Sequence, residues 1–477
     1  VSGSNSWAGL TIGVASLGGT TMPAASSVTV NSPISINGPV NLINGYVTTT
    51  SSISAAGTVT LNAVNGNVTL NNPITVSGSG NGILVKATGN ILTAAGTSGT
   101  PLLFQTNNGP ITFWANSANG TAGNIEFGAY NTLNSVNGST SSNLATGGAI
   151  TLAGGADNGS GLPGGYAIGV SAQPTGGTTW YMMGISGANL SLYSGGGNIL
   201  IQGEGANVAS LATQEGIAIG GGTLNSGQGT ITLSGKTQST SGQYAYGVHL
   251  DEGGDGSKTL IVSSNTTANA IQITGDSSGS SAANSSGIMI FYNNGASGPG
   301  TQIAATNGGG ITLTGKGTTN TSNISGYGDG IDINNAQILA TAGAITLNGS
   351  GGSYGISMGG RTVASNSVTL GQASVTLGGV SMASSSSNIA LNADAIIVNA
   401  GSSSGWAGNV AGSGTLTIQS QSNSFSSALI WPVSGLTLSS NLTGLTIGKS
   451  TNTSNVTIGS NTSISGAINV YAGNIYL

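Results

Sequence analysis

Short apolar-polar-apolar triplets recur about every six residues near the start of the chain: Val28-Thr29-Val30, Ile34-Ser35-Ile36, Val40-Asn41-Leu42, Val59-Thr60-Leu61, Val68-Thr69-Leu70 and Ile74-Thr75-Val76. Such alternation sends two apolar side chains to one side of an extended segment and a hydroxyl or amide to the other. It specifies a half-buried strand and not a helix. Every third element returns in step: Val28, Val47 and Val68 follow one another at a nearly constant interval, and Ile34, Ile53 and Ile74 keep the same interval. Three short strands complete one period, and none buries enough surface alone, so each must be covered by the same position one period later. The pattern predicts an all-β solenoid, a parallel sheet coiled into a rod with about 20 residues and three strands per coil.

The period loosens after position 95, but Gly-x-Ile-Thr-Leu units persist at Gly148–Leu152, Gly229–Leu233, Gly310–Leu313 and Gly343–Leu347. Ile231, Ile271 and Ile311 are evenly spaced at twice the earlier interval, which reads as two coils per step. Between strands lie Gly/Ser/Thr/Asn stretches such as Lys236 to Gly242 and Lys316 to Gly326. Insertions in a solenoid gather on one face, so these loops are the expected binding surface. The chain divides into residues 1–27, a terminal strand or cap; 28–95, regular coils; 96–430, coils with inserted loops; and 431–477, coils returning to short steps and ending on strand motifs. A solenoid ending on a strand leaves an open edge, so the reading expects further chain or end-to-end stacking there. Leu10, Ile12 and Val14 at one end, with Ile475 and Leu477 at the other, are the candidate assembly residues. Capping of its own solenoid by the first segment is weighed ahead of exchange with a neighbouring copy.

Composition narrows the function. Asp, Glu, Lys and Arg make up 4% of the chain, and residues 1–85 contain none of them and no His. No basic stripe exists to neutralise phosphates, which argues against nucleic acid as a partner. Cysteine is absent, which removes disulfides, thiolate metal sites and cysteine nucleophiles. No apolar run reaches the length of a membrane-spanning helix.

Chemistry-bearing residues are sparse. Asp251, Glu252 and Asp255 cluster in Leu250–Gly256, and Asp329 and Asp332 in Gly328–Asp332. Asp and Gly suit tight turns, so both groups read first as loop residues. They are weak calcium candidates, matching neither an EF-hand loop nor a tandem calcium repeat, and no other cofactor is indicated. His249, the single histidine, alternates with Val248 and Leu250 and is expected on the opposite side from them. Catalysis of the polysaccharide-processing kind needs paired carboxylates or a metal with a base, and no such set is evident. Among the scattered aromatics, Trp114, Trp180 and Tyr181 are candidate glycan contacts, weighed against a role in filling the core.

The Gly-x-Ile-Thr-Leu units, with Ile111–Gly120 running into Gly123–Phe127, resemble the repetitive shaft of filamentous-haemagglutinin-type adhesins and related large bacterial exoproteins. The resemblance implies a right-handed parallel β-helix, export by two-partner secretion to the bacterial cell surface, and a non-catalytic role in adhesion, aggregation or biofilm formation, with cell-surface components or glycans as partners. The low charge favours an alternative, a self-assembling subunit of an extracellular filament or sheath that stacks end to end on itself. A polysaccharide-processing β-helix enzyme is the third reading.

Overall fold

The computed structural model describes residues 8–13, 16–17, 20–21, 26–137, 145–175, 177, 180–208, 214–239, 244–282, 284–291, 300–318, 328–351, 354–359, 367–371, 375–377, 380–382, 385–398 and 407–477. Its regular structure is all β, and no helix among the described residues is long and apolar enough to cross a membrane. The chain forms two compact units, Val1–Asn207 with Gln214–Gly235, and Val208–Thr213 with Lys236–Leu477. Each is a right-handed parallel β-helix with three strands per coil, as the triplet pattern predicts.

In the first unit, one face stacks Ser27–Val30, Tyr46–Thr49, Val68–Leu70, Ile91–Thr93, Ile125–Phe127 and Ile185–Ala188. A second face stacks Ile34–Ile36, Ile53–Ala55, Ile74–Ser79, Leu102–Asn107 and Asn131–Asn134. The third stacks Val40–Asn44, Val59–Ala63, Ile83–Ala87, Ile111–Trp114 and Ile150–Asp157. Register keeps like over like, so Val40, Val59, Ile83, Ile111 and Ile150 form one fully buried row and Leu42, Leu61, Val85, Phe113 and Leu152 the next. Phe104, Phe113 and Phe127, from three different faces, fill the core together, with ring centroids 5.3 and 5.5 Å apart. Leu10–Ile12 pairs in parallel with Val40–Leu42, extending the third face of its own chain. Leu10 is half-buried and Ile12 exposed there, while Val14 lies outside the described residues.

The second unit repeats the scheme. Its third face stacks Ile271–Asp276, Ile311–Lys316, Ile345–Ser350, Ile389–Asn392, Thr415–Gln419, Gly444–Ile447 and Ala467–Val470. Ile271 and Ile311 are direct register partners in adjacent strands, so the interval between them is one long coil and not two. Coil length in fact varies. Along the third face of the first unit, the step from Ile111 to its partner Ile150 is far longer than the step from Val40 to its partner Val59. The strands stay in register while the connections absorb the difference, because lengthening a loop adds little closure entropy.

Many outward positions are polar and bond along the stack. Asn348 donates to Thr314 at 3.4 Å, Asn392 to Asn348 at 2.7 Å, and Gln302 to Gln337 at 2.9 Å. Another device recurs at the strand ends. Gly275, Gly315 and Gly349 share one register row, and a Cβ on each would collide with the carbonyls of Gly287, Gly330 and Gly355, which open the next strands. The corner requires glycine for close backbone approach rather than for an unusual backbone angle.

Candidate functional site

The connections from the third face to the first do not simply project into solvent. In the second unit, Thr237, Ser239, Ser277, Ser280, Ser285 and Thr318 in their described parts are buried. Successive connections bond to one another: Ser280 Oγ donates to the Ser239 carbonyl at 3.0 Å, and Thr318 Oγ1 to the Ser280 carbonyl at 2.7 Å. The loops expected as a binding surface therefore contribute, in their described portions, to a second polar layer.

The outward row of the first face runs His249, Met289, Asp332, Ser357. Alternation places these side chains opposite Val248, Ile288, Ile331 and Ile356, which fill the core. His249 is half-buried, on the opposite side from Val248 and Leu250 as expected; its Nε2 lies 3.6 Å from Asp251 Oδ2 and its ring 4.9 Å from that of Tyr246. Met289, Asp332 and Ser357 are fully buried.

Asp329 joins this row from the preceding turn. It too is fully buried. Asp329 is a turn residue, as read from sequence, whereas the same reading is corrected for Asp332, which sits inside the strand Ile331–Ile333. Asp329 Oδ1 accepts a hydrogen bond from the Tyr354 amide at 3.0 Å, and Asp332 Oδ1 one from Asn334 Nδ2 at 3.0 Å. Asp329 Oδ2 and Ser357 Oγ have no partner in hydrogen-bond geometry. Burial, reinforced by the neighbouring Asp332 carboxylate, pushes the Asp329 carboxyl up to about 8 against the opposing pull of the Tyr354 amide and the nearby Ser357 hydroxyl. The arrangement can hold a proton between two acids or accept a cation. Sequence reasoning missed its burial because Tyr354 and Ser357, which meet these acids, come from another coil; the signal present was the strand pattern of Ile331-Asp332-Ile333.

In the other acidic cluster, Asp251 ends the strand Val248–Asp251, while Glu252 and Asp255 lie in the turn that follows, as read from sequence. Asp251 Oδ1 accepts from the Glu252 amide at 2.7 Å and the exposed Asp255 accepts from the Ser257 amide at 3.0 Å. Gly253 and Gly256 close the turn, and Glu252 is half-buried. Among the described residues, no three His, Asp or Glu side chains gather in one place.

The aromatic candidates separate. Trp114 is 1% exposed and donates from Nε1 to the Gly155 carbonyl at 2.7 Å, so it is a packing residue and not a glycan contact. Trp180 is exposed and Tyr181 half-buried. At the end of the second unit, Ile468, Ile475, Tyr476 and Leu477 are exposed; Ile468, Ile475 and Leu477, with Trp431 and Ile458, border an apolar groove. No family model, curated protein or solved structure matches the chain.

Proposed function

We propose that this protein is a non-catalytic extracellular structural protein, a surface shaft of the adhesin type. The observation that carries the reading is the use of the chain: strand after strand forms in-register ladders over a buried apolar interior, with Asn, Gln and Thr bonding along the outside. Such ladders give cohesion through backbone hydrogen bonds between coils about 4.8 Å apart. With 4% charged residues, the surface relies on hydroxyls and amides for solvation. The resemblance of the Gly-x-Ile-Thr-Leu units to adhesin shafts supports the location at a bacterial cell surface and adhesion, aggregation or biofilm formation as the role.

A second reading, an end-to-end filament or sheath subunit, draws support from the low charge, 4% of residues, which lets copies stack without mutual repulsion. Negative-stain images of the purified chain separate the two: discrete elongated particles fit the shaft, and polymers fit the filament. Cleavage of acidic polysaccharides by the same material would overturn both in favour of an enzyme.

A further inference from the structure

Two carboxylates of the second unit, Asp329 and Asp332, lie fully buried beside the fully buried Ser357. Parallel register puts Ser357 next to Asp332 on the same side of the sheet. Asp329 Oδ1 is occupied by the Tyr354 amide at 3.0 Å, whereas its Oδ2 takes no hydrogen bond. The Ser357 hydroxyl is near enough to influence this carboxylate, yet it too lacks a partner in hydrogen-bond geometry. Idle oxygens at this depth are costly unless something bridges them. Lys316 is engaged elsewhere, 3.8 Å from Asp276.

We infer that Asp329, Asp332 and Ser357 bind one hard divalent cation of the calcium class. The donors are all oxygen, which selects calcium or magnesium over zinc or copper. His249 stands two strands from Asp332 along the row, about 10 Å at ordinary strand spacing, and takes no part. Asn334, which holds Asp332 Oδ1 at 3.0 Å, positions that carboxylate. The cation would tie the continuous stretch from Asp329 through the strand Ile331–Ile333 to the strand Ile356–Met358, locking two adjacent coils.

Equilibrium dialysis of the full chain against calcium after EDTA treatment tests this. The wild type should retain about one ion per chain at millimolar calcium. Asp329→Asn with Asp332→Asn, which keeps side-chain size and removes both charges, should weaken binding at least about tenfold. Asp255→Asn, in the exposed turn, should leave it unchanged. Should the double variant fail to fold, Ser357→Ala keeps both carboxylates and should still weaken binding several-fold. Retention of no calcium by the wild type would overturn the inference and leave a shared proton as the bridge. Equal retention by the folded double variant would overturn it too, by moving the ion elsewhere.

Discussion

Lys86 carries its ammonium 3.8 Å from the centroid of the Trp114 ring, the two residues being register partners in adjacent strands. The indole is held from its other end by the Gly155 carbonyl. Trp114→Ala should cost about 3–5 kcal/mol through the cavity it leaves, and Trp114→Phe about 1 kcal/mol through the lost hydrogen bond. Lys86→Ala should cost no more than about 1 kcal/mol. Urea unfolding of the three variants checks the order.

The pH response follows from Asp329. Folded, its carboxyl holds a proton up to about 8; unfolded, it releases the proton near 3.8. Between those values the folded state binds more protons, so stability falls as pH rises, by about 1.4 kcal/mol per pH unit. The contribution is complete below about 4 and lost by about 8. Denaturation midpoints in chelator at pH 5, 6.5 and 8 should therefore descend, and Asp329→Asn should flatten that descent.

Inward and outward positions of one strand should differ sharply. Leu313 is fully buried and Thr312 half-buried. Leu313→Ala should destabilise by about 2–5 kcal/mol, while Thr312→Ser should stay within about 0.5 kcal/mol. Equal effects in thermal unfolding would contradict the alternation.

The corner glycines respond to size alone. Gly315→Ala would drive a Cβ into the Gly330 carbonyl, which is backbone and cannot rotate away. A loss of about 1–3 kcal/mol is expected from the overpacking. Gly254→Ala, with open space around its Cα, should cost far less when the two are unfolded side by side.

Trp180 is the exposed aromatic among the glycan candidates. If it stacks on sugar rings, Trp180→Ala should abolish glycan-array binding while shifting stability by less than about 0.5 kcal/mol. Binding unchanged in the variant would remove the residue from that role.

The information legible in the sequence was local. Alternation in Val40-Asn41-Leu42 or Ile311-Thr312-Leu313 decides which side chains enter the core, because successive residues of a strand point to opposite sides whatever the rest of the chain does. The triplet order likewise set three strands to a coil. Closure, by contrast, was settled only in the assembled coils. Ile271 and Ile311 meet directly across an interval that reads as two coils, because a longer connection returns a strand to the same register at small entropic cost. Closure also decided that Trp114 is buried, and that the acids of Gly328–Asp332 are buried while Glu252 and Asp255 stay in an open turn. Burial of an outward side chain depends on segments of other coils laid over it, and no periodicity within its own strand records them.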